Sequence, residues 1–185
     1  NNKIFKMINK NKNRFYGNNF KLVFVGSLSL RKGLPYLLDS FNNLKINNKE
    51  LHLVGEKTND YELFKHKINF KNTILHGHIS QQNINKLFNN SHLFVLPSLE
   101  EGAAVVVAQA MSAGLPVIVS KNTGWSDIVS KNKNGLIVNA RDSKNLTKKI
   151  KFLNNNRNLL LNYSNNCLKY SKNQSWDKYV DRLND

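Results

Sequence analysis

One cysteine, Cys167, stands alone among 185 residues, so the chain has no internal disulfide and no cysteine-based zinc site. A disulfide-stapled secreted scaffold is excluded, and a reducing, cytoplasmic setting is the expectation. Three prolines and nine glycines, without a period, exclude collagen-like and other fibrous designs. Long apolar runs are missing as well. The longest, 103–111, is interrupted by Gln109 and falls far short of the roughly 20 residues that cross a bilayer. Residues 1–14 are basic but lead into no apolar stretch, so they do not read as a signal peptide. Acidic side chains are scarce: 12 Asp and Glu face 28 Lys and Arg, a formal net charge of +16.

What is present is enough for one folded domain. With 40% hydrophobic residues over this length, the chain can bury a core, and intrinsic disorder throughout is excluded. The charge favours polyanions, nucleic acid or an anionic membrane surface among them. The 32 asparagines give a plainer account. Asn and Lys rise together in NNK, KNK and SKN tracts, the mark of a coding bias that loads both onto solvated surfaces. The lysines are scattered, and no basic stripe is interleaved with aromatics as single-strand and RNA binders require, so nucleic acid is disfavoured as a partner.

Along the chain, short apolar runs alternate with helical periodicities. KLVFVG from Lys21 reads as a buried strand, followed by Leu34, Leu37, Leu38, Phe41 and Leu44 at helical spacing. Further strands are ELHLVGE, NTILHG, HLFVLPS, LPVIVS and NGLIVN. Between them lie a short helix at 60–67, a helix at 81–89, and an Ala/Val helix from about 103 to 113; the segment 127–129 is too short to assign. The tail from Asp142 is helical and polar. Strands alternating with helices imply parallel pairing through right-handed crossovers, hence a Rossmann-like, doubly wound α/β sheet. In such sheets ligands bind outside the carboxyl ends of the strands, so chemistry belongs in the loops that follow each strand.

The first strand ends in GSLSLRKG, where Gly26 permits a close turn and Arg31 and Lys32 stand at the entrance to the next helix. Two cations beside free helix N–H groups suit a phosphate, although the spacing is neither a Walker loop nor GxGxxG. The fourth strand ends in PSLEEGAAVVVAQAM. Here Glu100 and Glu101 precede Gly102, Ala103 and Ala104, small residues that let a ligand approach backbone N–H groups while a carboxylate accepts from hydroxyls. Gln109, eight residues on, lies at most about 12 Å from Glu101 along a helix, so the two would grip different parts of one elongated ligand. Equally, the carboxylates could merely favour the helix dipole while Gln109 faces solvent. His76 and His78 could share a face, but no third ligand lies near them, and a metal site is not expected. Cys167 lacks a plausible base.

In order, FVGSLSLRKGLPYLLDSF, LHLVGE, HGHIS, LFVLPSLEEGAAVVVAQAMSAGLPVIVS, TGWSDIV, NGLIV and the following RD resemble the C-terminal domain of family 4 (group 1) retaining glycosyltransferases of GT-B fold. The cover runs from about 20 to 142, and SWDKYVDRL is similar to the closing segment of those enzymes. The resemblance implies three parts: a linker or remnant of the interdomain connector at 1–19, a nucleotide-sugar-binding domain at 20–173 and a closing helix at 174–185. It also implies an N-terminal acceptor domain outside this sequence. By the same likeness, Arg31 and Lys32 neutralise the diphosphate leaving group without a metal or other cofactor, and Glu101 contacts the sugar of a nucleoside diphosphate donor, with a UDP-sugar the expectation. Gly26 lies in the donor site, and Gly102 and the backbone amides of Ala103, Ala104 and Val105 hold sugar and phosphate oxygens. Gly77 and Ile79 lie against the base. Gln109 stands at the second Glu of the family's E-x7-E motif, and Ser27 where the family often has Arg. A neutral amide loses charge assistance on the order of 1 kcal/mol to the ribose hydroxyls, roughly fivefold to tenfold in affinity.

The activity implied is retaining transfer of a hexose to a hydroxyl acceptor, saccharide or lipid-linked, in glycan or glycolipid synthesis, with peripheral membrane contact through the basic surface. A GT-B epimerase or phosphorylase shares the architecture. The alternative from another class is a noncatalytic module, either a degenerate nucleotide-binding domain or a nucleic-acid binder.

Overall fold

A computed structural model describes residues 12–66 and 69–172. Six strands form its centre: β1 (Phe20–Val25), β2 (Lys49–Val54), β3 (Thr73–Gly77), β4 (Leu93–Leu96), β5 (Val117–Ser120) and β6 (Gly135–Val138). Every residue of β4 and β5 is buried, as are Leu22, Val23 and Phe24 of β1. Continuous apolar runs of this kind are what strands covered on both faces require. Alternating with them are α1 (Leu34–Asn43), α2 (Tyr61–Lys65), α3 (Gln81–Asn90), α4 (Val105–Ser112) and α5 (Ser126–Asn132). Then α6 (Ser143–Asn155) and α7 (Arg157–Lys172) close the described chain.

The strand order is β3-β2-β1-β4-β5-β6, and all pairings are parallel. Crossovers from β1 move toward one edge and those from β4 toward the other, so right-handedness puts α1 and α4 on opposite faces. α6 buries Leu146, Ile150 and Leu153, one helical stripe, and packs on α1, while α7 packs on α4 and α5. This is the doubly wound Rossmann-like arrangement. Its strand order reverses between β1 and β4, and a crevice opens at their carboxyl ends.

Some boundaries differ from the sequence reading. α4 begins at Val105, because Glu101 is held in a bridge with Thr123 and its carbonyl, with that of Gly102, accepts from Gly124 N. Tertiary hydrogen bonds thus override the helical preference of the two alanines. The segment left unassigned at 127–129 belongs to α5, which stops where Lys133 turns left-handed at φ 51°. Within the segment read as a connector at 1–19, the described residues are ordered against the sheet domain. Lys12–Tyr16 is a 3-10 turn, Phe15 is in the core, and Arg14 bonds to the ends of two helices. The closing helix assigned to 174–185 lies outside the described residues. No helix among the described residues is long and apolar enough to cross a membrane.

His92 joins β1 to β4 at the opposite end of the sheet from the crevice. Its Nδ1 accepts from Lys21 N at 2.9 Å, which fixes the proton on the buried Nε2. Burial, then the Arg157 charge, pushes its pKa down to about 4. In the unfolded chain an ordinary histidine titrates near 6.5. Between these values the unfolded state binds a proton that the folded state refuses, so stability is complete above pH 6.5 and falls as the pH drops toward 4. The expected loss is about 3 kcal/mol at one histidine. In His92→Asn an amide oxygen can take the place of Nδ1 without titrating. Urea denaturation at pH 7.5 and 5 should show a clearly smaller pH difference for the variant; equal differences would place the acid sensitivity elsewhere.

Candidate functional site

Gly33, the residue before α1, decides where the first-strand loop lies. Its φ is +73°, and a Cβ there would come within 2.0 Å of the Pro97 carbonyl oxygen, so only glycine lets this loop rest on the end of β4. Leu99 N donates to Arg31 O at 2.8 Å, which ties the two loops at a second point. From the other side, Leu30 N donates to Asp60 Oδ2 at 2.7 Å, and Thr58 Oγ1 to Leu28 O at 2.9 Å. Arg31 and Lys32 are thereby set over the crevice.

Glu101 meets them there. Its Oε2 is paired with Lys32 Nζ and lies 3.6 Å from Arg31 Nη1. The Lys32 and Glu101 side chains are only 14% and 13% exposed, whereas Arg31 is 59% exposed. Arg31 Nη1 also donates to Glu100 O at 3.4 Å, while the Glu100 side chain is exposed. Beyond Glu101 the chain runs through Gly102, Ala103 and Ala104 into the first turn of α4. Val105 and Val106 have no intrahelical acceptor for their N–H groups, because the helix starts at Val105. An added Cβ at Gly102 would meet no heavy atom within 4 Å, so this stretch borders open space. The arrangement offers two cations, one carboxylate and a run of N–H donors at one strand-order reversal.

Beside it, a cavity of about 310 Å³ lies at the carboxyl ends of β1 and β2, lined by Gly26, Ser27, Val54, Gly55, His78 and Ile79 among others. Gly55 lets the loops after β1 and β2 touch: a Cβ there would fall 1.9 Å from Gly26 O. The Lys32 chain passes near Gly26, with Cδ 3.8 Å from the position of an added Cβ, so cavity and cations are adjacent. Gly77 stands at the rim, its carbonyl accepting from Gly55 N at 2.9 Å. Gln109 is set apart from Glu101 and donates from Nε2 to Gln81 Oε1 at 3.3 Å, across to the start of α3. A larger cavity of about 650 Å³, lined by Phe15, Tyr16, Lys45 and Arg157 among others, lies at the amino ends of β1 and β2. That is the wrong end of the sheet for ligand chemistry in this architecture.

Residues 5–174 match the family model described as glycosyl transferases group 1. The chain belongs to the group 1 glycosyltransferases. It is 32% identical over 168 residues to the uncharacterized glycosyltransferase MJ1178 of Methanocaldococcus jannaschii, covering 88% of this chain and 46% of that protein. It is 29% identical over 152 residues to the capsular polysaccharide biosynthesis glycosyltransferase CapM of Staphylococcus aureus, covering 79% and 40%. The chain therefore spans less than half the length of these curated relatives. Among solved structures it is similar to HepE of Anabaena in complex with UDP-glucose, at 22% identity and a TM-score of 0.75, with 83% of this chain and 44% of that one covered. The fold is that of the C-terminal half of GT-B enzymes.

In this glycosyltransferase domain the structure brings Arg31, Lys32 and Glu101 into contact and puts Gly26 and Ile79 on the cavity wall. His76 and His78 do not act together. His76 Nε2 is 2.9 Å from His52 Nδ1, with the two rings stacked, while His78 lines the cavity. Sequence reading missed Asp60, Thr58 and Asn122, whose Nδ2 donates to Leu99 O at 2.7 Å. Each binds backbone of a loop far away in sequence, and no local pattern marks that. Gly55 and His78 had a signal, since each follows a recognised strand. Cys167 is fully buried, its thiol pushed up by desolvation, with Sγ donating to Asn134 O at 3.3 Å. It is structural.

Proposed function

We propose that this domain binds the nucleoside diphosphate sugar donor, a UDP-sugar, for metal-independent transfer of a hexose with retained anomeric configuration to a hydroxyl acceptor. The observation that carries the reading is the convergence of Lys32, Arg31 and Glu101 at the strand-order reversal, beside a cavity that fits a base. In this reading the base enters between Gly26, Gly77, His78 and Ile79, and Gln109 faces the ribose. Lys32 and Arg31 hold the diphosphate. Glu101 and the N–H groups of residues 102–105 take the sugar. Negative charge grows on the diphosphate as the glycosidic bond to it breaks, and two cations in a partly dehydrated crevice stabilise that charge more than the ground state.

UDP-glucose in the HepE structure supports the choice of donor class, and the capsular role in the name of CapM supports a saccharide or lipid-linked acceptor. Transfer itself needs the acceptor-binding half that those longer relatives supply, so the 185-residue chain is expected to bind donor without turning it over. Calorimetric titration with UDP, GDP and ADP, in chelator, tests the reading. Selective binding of UDP that Lys32→Ala abolishes is the expected result. Binding of none, by this chain or by the full-length protein, would favour a noncatalytic domain.

A further inference from the structure

Lys32 and Glu101 are both about six-sevenths covered, and a cation this far from water is costly without a counter-charge. Glu101 provides that charge. The contact is one of side chains, because both backbones are held by other bonds. Glu101 N donates to Asn122 O at 3.0 Å and its carbonyl accepts from Gly124 N at 3.1 Å. On the other loop Lys32 N donates to Ser29 Oγ at 3.3 Å, and Arg31 O accepts from Leu99 N. A turn about the Glu101 side-chain bonds therefore breaks the pair without moving either loop. Two other carboxylates stand on this loop cluster: Asp60 is engaged by Leu30 N and Thr58 Oγ1, and Glu100 is exposed.

We infer that Glu101 occupies the phosphate seat when no donor is bound, and that the donor's diphosphate exchanges with it for Lys32. The inference rests on the donor-site reading above and adds a coupling between its parts. A released carboxylate is an acceptor only, and it is free to receive sugar hydroxyls on the open side of Gly102. A complete donor supplies those hydroxyls. A free nucleoside diphosphate does not, so it must displace Glu101 with nothing in return. The pair thereby offsets, in the donor's favour, the extra charge that the terminal phosphate of the spent nucleotide brings to Lys32.

The test is titration of the 185-residue chain with UDP and with UDP-glucose, for wild type, Glu101→Gln, Glu101→Ala and Glu100→Gln. Glu101→Gln keeps the shape and removes the rival charge, so UDP should bind about threefold to tenfold tighter while UDP-glucose gains less or weakens. Glu101→Ala should do the same without a residual amide contact to Lys32, which covers a failure of either variant to fold. Glu100→Gln removes the same charge from an exposed neighbour and should change UDP affinity by less than about twofold. Unchanged or weaker UDP binding in both Glu101 variants overturns the exchange while leaving the donor-site reading in place. Equal tightening by Glu100→Gln also overturns it, because a general charge effect would then suffice. If neither wild type nor a Glu101 variant binds any of UDP, GDP or ADP, the donor-site reading and the exchange fall together.

Discussion

Lys32→Ala in the full-length enzyme is expected to slow sugar transfer by on the order of 10² to 10³-fold, the usual effect of removing one preorganised donor to a developing anion. The loss should appear mainly in kcat, since charge on the departing diphosphate grows between ground state and transition state. Arg31 cannot replace Lys32: its side chain is 59% exposed, and water competes for it. Stability should fall far less, by about 1–2 kcal/mol, because Glu101 keeps Arg31 at 3.6 Å as a counter-charge. In the variant Glu101 has also lost its partner, and its charge faces the incoming diphosphate directly. The double change Lys32→Ala with Glu101→Gln should therefore recover part of the UDP affinity lost in the single variant, a non-additivity expected of contacting residues. Steady-state rates at saturating donor, with thermal unfolding of the same samples, separate the outcomes. Wild-type turnover in Lys32→Ala would remove its catalytic assignment; a large fall in unfolding midpoint would make the residue structural.

Alternating periodicities carried the sheet class, and the rule that ligands sit beyond strand ends carried most of the site. Arg31, Lys32 and Glu101 follow β1 and β4, and both loops open on the same edge. Periodicity does not show which strands are neighbours. The 69-residue separation of Lys32 and Glu101 is closed by the β1–β4 pairing, whose register covers only Leu22 and Val23 against Leu93 and Phe94. The start of α4 was misjudged because alanines favour helix locally while Glu101 and Gly102 are held by the loop after β5. Asp60 sits where a helix cap belongs, yet its carboxylate makes no cap bond and reaches Leu30 N instead. Such long-range bonds leave no periodic trace. The edge strand β3, with Ile74 and Leu75 exposed, shows the converse: an apolar run marks a strand but not how well it is covered.

The same limit explains Arg14, which lies in a stretch that reads as a basic connector and whose loss should cost the fold heavily. Its Nη1 donates to Phe88 O at 2.8 Å and Asn89 O at 3.1 Å, its Nη2 to Ala113 O at 3.2 Å and Gly114 O at 2.6 Å. One guanidinium thus closes the carboxyl ends of α3 and α4, where carbonyls lack intrahelical donors and the helix dipoles favour a cation. Burial lowers its pKa to about 10, so it remains charged at neutral pH. Arg14→Ala leaves several carbonyls at partly or fully covered positions without this donor, and the expected loss is about 4 kcal/mol, among the larger effects of single changes. Arg14→Lys keeps the charge but not the planar fork that spans both helices, and should lose about half as much. α3 and α4 carry Gln81 and Gln109, so a milder loss of nucleotide affinity should accompany the loss of stability. Chemical denaturation of the three proteins at pH 7.5 decides the matter. A change below about 1 kcal/mol in Arg14→Ala would show that water satisfies these carbonyls as well as the guanidinium does, and that the turn before β1 is dispensable to the packing of both helices.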